Sequence, residues 1–435
     1  MSFIIILTLL IALLYTGLPM FAGMFLFSAA VLFYVEGSIP TLGEFIIGQL
    51  DGYLLVAIPL FMLMSHFMVR GKVVDDLYGA AYTFMRHIPG GLGIATVFAC
   101  SIFAAISGSS VATALTIGAV AIPQMLKYGY TPRGAYGVVA GGGTLGILIP
   151  PSAPMVLYGV ASDTSVGALF MAGVFPGILM AVIFAAYCWF TEGRMEQKRI
   201  NAGGYIRPAK ASPAEMGAAL KRSFWAFTLP PFVLGGMYLG IFTATEAAAT
   251  GALWALFIAT FIYRKFGLKD LWEGGQEAAR TSAVLFLIIV SAGLFGHMLT
   301  KLHIPDQLVS IVVENNLSKY QFLAILMFVI FILGLILESF SIILITTPVI
   351  LPVMAALGID KVWYGVLLTI NLELALISPP VGMNLIVIRS ITGAPLVEVD
   401  KAAIPYMLML GLGIALIMLF PEVALWLPST MKLGQ

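Results

Sequence analysis

Apolar runs long enough to cross a bilayer, separated by short polar punctuation, fill this chain almost from end to end. A hydrocarbon core about 30 Å thick takes roughly 20 apolar residues per helix. Runs of that kind fall at residues 3–34, 53–69, 166–190, 224–240, 245–263, 281–299 and 404–425. Two further runs, 92–126 and 321–357, are each divided by small or polar residues, the first at ISGSSVAT (106–113) and the second near Leu337 to Ser341. Their arms fall short of a full span, so each run predicts a re-entrant helical hairpin; the alternative is a pair of complete short spans. Residues 73–86 and 301–318 mix charges with apolar positions and predict amphipathic connectors at the membrane interface.

The run at 136–159 is interrupted by GGGTLGILIPPSAP (141–154). Each glycine weakens a helix by about 1 kcal/mol relative to alanine, and Pro150 and Pro151 remove backbone donors and clash with the preceding turn. Together they predict an unwound stretch, although a proline kink in a packed helix would also accommodate the prolines. Unwound backbone at bilayer depth has to face protein or a water-filled cavity. There, freed carbonyls can hold a cation and half-helix N-termini can face an anion.

A second copy strengthens the broken-helix reading. The run at 364–391 contains SPPVGMN (378–384), and the shift that carries Pro150 and Pro151 onto Pro379 and Pro380 also carries Pro123 onto Pro352 and Pro176 onto Pro405. A shift two residues longer pairs His66 with His297, Asp75 with Asp306 and Leu77 with Leu308. The chain therefore reads as an internal duplication, each half holding a helix, a connector, a hairpin, a broken helix and a closing helix.

Charge sets the orientation. The polar stretch 191–222 carries Arg194, Lys198, Arg199, Arg207, Lys210, Lys221 and Arg222, which places it in the cytoplasm. Arg86, Lys127 and Arg133 flank the first hairpin, which enters from that side, while the flanks of the second hairpin are less basic. The two halves are thus expected to insert in opposite senses, with the N-terminus cytoplasmic and the C-terminus periplasmic. The expected division is 1–50 (N-terminal scaffold helix and connector), 51–190 (first repeat), 191–223 (basic loop), 224–277 (linking helix pair) and 278–435 (second, inverted repeat).

Composition narrows the class. With 60% hydrophobic and 10% charged residues and a mean hydropathy of +1.03, the chain is an all-α polytopic membrane protein rather than a soluble domain. The net charge of +1 calls for no nucleic acid or acidic partner. Cys100 and Cys188 sit in apolar surroundings and suit packing. The opening MSFIIILTLL lacks a basic n-region and a cleavage site, so it reads as a retained span. There is no H-E-x-x-H, G-x-S-x-G, P-loop or Cys/His cluster, and no enzyme is expected. His66 and His297, at helix ends, read as interfacial rather than catalytic.

Hydroxyls and backbone remain as the chemistry. Na⁺ is a hard cation that favours oxygen ligands, which hydroxyls and freed carbonyls supply without a buried charge. One candidate site combines Ser107, Gly108, Ser109 and Ser110 with Gly146, Ile149 and Pro150. The other combines Glu338, Ser339 and Ser341 with Thr369, Ser378, Val381 and Met383. Each hydroxyl could instead bond back to its own helix; clustering at both tips, opposite both breaks, favours the ligand role. Between the sites a substrate would meet Ser110, Ser152, Thr346 and Asn384. Arg389 could hold a carboxylate or snorkel to the interface, and Glu373, an acid within the membrane, is a functional candidate by default.

The segments SGSSVATALTIG (107–118), GGTLGILIPPS (142–152), GIFTATEAAA (240–249) and SPPVGMNL (378–385) resemble the large membrane subunit of tripartite ATP-independent periplasmic (TRAP) transporters over nearly the whole chain. The resemblance implies a Na⁺-driven elevator importer in a bacterial inner membrane. Its implied partners are a small four-helix membrane subunit and a periplasmic substrate-binding protein that delivers an organic acid, sialic acid or a C4-dicarboxylate being the first candidates. Ser378, Ala375 and Gln124 stand where threonine, glycine and glutamate are commoner in that family. No four-helix extension follows residue 435, so the small subunit is expected to be a separate polypeptide. The alternatives are an ion-coupled transporter of the same superfamily working without a binding protein, and a channel with re-entrant loops.

Overall fold

The computed structural model describes residues 16–36, 42–71, 73–202, 204 and 206–431, with Ile6, Thr8, Leu9, Ala12 and Leu13. The start of the 3–34 run, residues 37–41 of the first connector and the C-terminal residues 432–435 lie outside this set, as does the Asp75 side chain of the repeat correspondence. Every regular element among the described residues is a helix, and eight of the helices are long and apolar enough to cross a membrane.

Both divided runs are helical hairpins. The first has arms Gly91–Ser107 and Ser110–Lys127, the second Lys319–Gly334 and Ser339–Leu357. Both proline pairs interrupt a helix. Broken helix one consists of Pro132–Leu148 and Ala153–Ser162; broken helix two consists of Lys361–Leu376 and Met383–Thr392. The Pro150–Pro151 and Pro379–Pro380 peptides are both cis. Starts are set by local chemistry: the Thr131 hydroxyl accepts from the Gly134 N–H (3.1 Å), with proline at the first helical position, and Asp360 accepts from the Trp363 N–H (2.9 Å).

The two broken helices cross in opposite directions. Glu373, late in the first piece of helix two, accepts from the Ile147 N–H of helix one. At the far end Lys361 donates to the Ser162 carbonyl, and Tyr158 donates to the Lys361 carbonyl. Numbers rise along one helix as they fall along the other, so the halves are inverted. The hairpins obey the same exchange: each first arm packs on the first piece of its own half's broken helix. Each second arm packs on the short piece of the other half's. Around this core, helices Met20–Glu36, Ala57–Arg70, Pro213–Tyr238, Ala244–Phe257 and Leu268–Lys301 pack on one another as a frame. It meets the core where Ala57–Arg70 touches Gly91–Ser107 and where Leu268–Lys301 touches Ser339–Leu357.

Two expectations need correction. Gly141, Gly142 and Gly143 do not unwind; they lie inside Pro132–Leu148, and only the stretch at the proline pair breaks. They serve close approach instead. A Cβ at Gly142 would come within 2.9 Å of the Cys100 sulfur, one at Gly143 within 2.8 Å of Ala114, and one at Gly141 would enter the Tyr406 ring. Burial of all three faces of that helix offsets the weak propensity of glycine. Likewise the basic stretch expected as a loop at 191–223 is mostly helical: the closing helix runs on as Val166–Asn201, and Pro213–Tyr238 starts at a Ser212/Glu215 capping box. The extension is anchored, because Glu196 accepts from the Gly90 N–H (2.7 Å) and pairs with Arg207 (2.8 Å).

Candidate functional site

The first arm of hairpin one ends at Gly108, whose φ of +60° suits glycine and where a Cβ would meet the Pro151 carbonyl oxygen at 2.5 Å. Ser109 then caps the second arm, its hydroxyl accepting from the Ala112 N–H at 3.4 Å. A Cβ on Gly146 would lie 2.6 Å from the Ser109 carbonyl carbon and 2.7 Å from the Ser110 Cα. The tip of hairpin one is therefore seated on break one, which brings Ser109 and Ser110 against Gly146; no hydrogen bond joins Ile149 or Pro150 of the predicted cluster to the tip among the described residues. Thr113 joins it: its hydroxyl is 3.0 Å from that of Ser107 and donates to the Ser109 carbonyl at 2.8 Å. Sequence reading missed Thr113, although its place one helical turn after Ser109 was a usable signal.

At break two, Ser378 donates to the Leu374 carbonyl (2.6 Å) and Thr369 to the Gly365 carbonyl (2.8 Å). Both back-bonds are present, yet each such hydroxyl still has oxygen lone pairs for a cation, because only its proton is engaged. Gly382 carries φ +41° and opens Met383–Thr392. Ser341, Ser378 and Asn384 are all buried, and the Ser341 hydroxyl and both amide atoms of Asn384 have no hydrogen-bond partner among the described residues. Buried polar atoms without partners are costly, and these atoms are free to accept or donate to a further group.

Glu373 is fully buried. Its carboxyl accepts from the Ser110 hydroxyl (3.1 and 3.2 Å) and the Ile147 N–H (3.1 Å), and Ser110 also lies 3.3 Å from the Thr144 carbonyl. The sequence marked Glu373 as a candidate; its partners in the other half come from the structure.

A cavity of about 110 Å³ lies between the tips. It is lined by Ser109 and Ser110 from hairpin one, Glu338 and Ser339 from hairpin two, and Met383 from broken helix two. The walls thus join members of both predicted ion sites and of the predicted substrate set. Apolar wall residues such as Val111, Ile147, Phe340 and Leu376 complete it, and nothing in their sequence context distinguishes them from core. Ser110, Ser339 and Met383 are first residues of their helices and Pro154 is a second residue, so four helix N-termini reach one cavity. Their partial positive charges favour an anion, while the hydroxyl and carboxyl oxygens favour a cation, and among the described residues no lysine or arginine lines the wall.

Other predicted residues fall elsewhere. Ser152 is buried and caps Ala153–Ser162 by accepting from the Met155 N–H at 3.4 Å. Thr346 bonds back to the Ile342 carbonyl deeper in its arm, Val381 is exposed, and Arg389 is exposed in the last turn of Met383–Thr392; none of the three lines the cavity.

Comparison with known proteins gives a consistent result. The family "Tripartite ATP-independent periplasmic transporter, DctM component" matches residues 7–423. A C4-dicarboxylate TRAP transporter large permease protein of Pseudomonas aeruginosa is 39% identical, covering 92% of each chain. Its namesake from Rhodobacter capsulatus is 37% identical over 99% of each. A sialic acid TRAP transporter large permease of Vibrio cholerae is 32% identical over 96% of each. In three dimensions the chain is similar to the YdaH transporter of Alcanivorax borkumensis, with a TM-score of 0.60 at 15% identity, covering 91% of this chain and 89% of that one.

Proposed function

This chain belongs to the DctM component family of tripartite ATP-independent periplasmic transporters, and from that premise we propose that it is the large membrane subunit of a Na⁺-driven, binding-protein-dependent importer of an organic acid. The observation that carries the proposal is the cavity between the hairpin tips, where four helix N-termini meet hydroxyl and carboxyl oxygens. The N-termini stabilise the carboxylate of a substrate. The oxygens around Ser107, Ser109 and Thr113 on one side, and Ser339, Ser341 and Ser378 on the other, suit Na⁺.

Na⁺ is cargo here, moving with the acid. Each hairpin tip would enter the membrane only as far as its break, which makes the hairpins re-entrant. The hairpins and broken helices would move as one body against the frame, as an elevator. The relatives at 39% and 37% identity are named for C4-dicarboxylates, and an acid of that class is the first substrate proposed; relatives named for sialic acid and for 2,3-diketo-L-gulonate keep sugar acids as the second. A small four-helix membrane subunit and a periplasmic binding protein would complete the importer in the bacterial inner membrane, with the C-terminus periplasmic.

Uptake of labelled C4-dicarboxylate into proteoliposomes holding both membrane subunits tests this. Saturable accumulation that needs an inward Na⁺ gradient and added binding protein is expected. Accumulation that persists without either, or unitary currents in its place, would overturn the proposal.

A further inference from the structure

Glu373 is buried at the point where the two inverted broken helices cross, and its hydrogen bonds leave its own half of the chain. Ser110, the first residue of hairpin one's second arm, donates to it, and so does the Ile147 N–H, two residues before break one. Ser110 in turn lines the cavity and follows directly on Ser109, whose carbonyl receives the Thr113 hydroxyl. One carboxyl therefore fixes a hairpin tip and the end of a half-helix from the opposite repeat. No lysine, arginine or histidine is hydrogen-bonded or ion-paired to Glu373 among the described residues, so its fixed partners are a hydroxyl and the backbone at Ile147 and Leu148.

We propose that Glu373 is a positioning residue that couples the halves: by holding the Ser110 hydroxyl and the Ile147 amide together, it sets the oxygen geometry of hairpin one from within the second repeat. It touches neither ion nor substrate and acts through Ser110. A hydrogen bond to a charged or strongly polar partner is worth more than an exposed one because the alternative is a buried unsatisfied group. Loss of the tie would loosen the tip relative to break one, and the Na⁺ concentration needed to order it would rise. The inference rests on the Na⁺-coupled reading above.

The test uses the purified two-subunit membrane complex and two readouts: thermal stabilisation by NaCl relative to choline chloride, and the Na⁺ dependence of uptake. Ser110→Ala removes the donor and leaves the acid; Glu373→Leu removes both acceptor oxygens at similar size. Each is expected to raise the Na⁺ concentration for half-maximal stabilisation about five- to tenfold, which is what one lost hydrogen bond of this kind yields. The double variant is expected to be no worse than the weaker single one, since both remove one tie. Additive losses, or a wild-type Na⁺ response in both single variants, would overturn the inference while leaving Na⁺ coupling intact. A wild-type complex indifferent to Na⁺ in both readouts would overturn the coupled reading, and the inference with it. Should Glu373→Leu fail to assemble, Glu373→Asp, which shortens the reach to Ser110 and leaves Ser110 itself unchanged, decides: its Na⁺ midpoint is expected to rise, and a midpoint equal to that of the wild type would overturn the inference.

Discussion

The Tyr158 hydroxyl donates to the Lys361 carbonyl at 2.8 Å, and the Lys361 ammonium returns a bond to the Ser162 carbonyl at 2.9 Å. These bonds tie the short piece of one broken helix to the start of the other and hold their antiparallel crossing. Tyr158→Phe removes only the hydroxyl from a buried ring. The expected cost is about 1 kcal/mol, seen as a lower Tm of the detergent-solubilised protein. An unchanged Tm would show that the crossing does not depend on this bond.

Gly146 is where hairpin one sits on break one. A Cβ would fall 2.5 Å from the Ser109 carbonyl oxygen, against backbone that has little room to give. Gly146→Ala is therefore expected to push the tip away and to abolish Na⁺-dependent uptake while the chain still inserts. Gly235→Ala, where nothing lies within 4 Å, is the control and should be neutral or slightly stabilising. Equal uptake by the two variants would contradict the seating.

Ser378 donates its proton to Leu374 and so can offer only lone pairs at break two. Ser378→Ala should raise the Na⁺ concentration for half-maximal uptake, and Ser378→Thr, which keeps the hydroxyl, should restore it. Ser109→Ala is expected to act similarly at the other site, with an added stability loss of about 1 kcal/mol from the missing cap. If neither alanine variant alters the Na⁺ response, the assignment of these oxygens fails.

In the first turn of Pro213–Tyr238, the Glu215 carboxyl is held below its ordinary value of 4.5 by the Ser212 backbone N–H and then by Arg86. A carboxyl whose folded value is depressed stabilises fully above the unfolded value and loses that contribution as pH falls through the folded one. The capping box is thus expected to be intact at neutral pH and to weaken only as pH falls below the ordinary glutamate value. Glu215→Gln should flatten that acid-side fall in Tm; an identical fall in both proteins would show that other groups cause it.

The readable features were those with a local cause. Serine and glycine at 107–110 turn a chain and apolar length marks a span, so the hairpins could be placed from residues alone; the proline pairs marked the breaks only together with the repeat, since Pro150–Pro151 and Pro379–Pro380 interrupt helices whereas Pro230–Pro231 stay inside Pro213–Tyr238. Reading failed where the outcome depended on neighbours. Gly141 to Gly143 looked like unwinding signals, but Tyr406, Cys100 and Ala114 press against them and keep them helical. The basic stretch after Phe190 looked like a loop, but Glu196 anchors it to Gly90 and Arg207 as helix.

What the sequence determined by itself was the duplication and the polar residue types at each break, because both are written in residues at fixed spacings. Tertiary structure alone decided that Ser110 meets Glu373, 263 positions away, and that both hairpin tips share one cavity. A repeat offset says which residues correspond, but not which faces touch. That is fixed by the antiparallel packing of the two broken helices, where side chains from opposite halves must fill the same buried space.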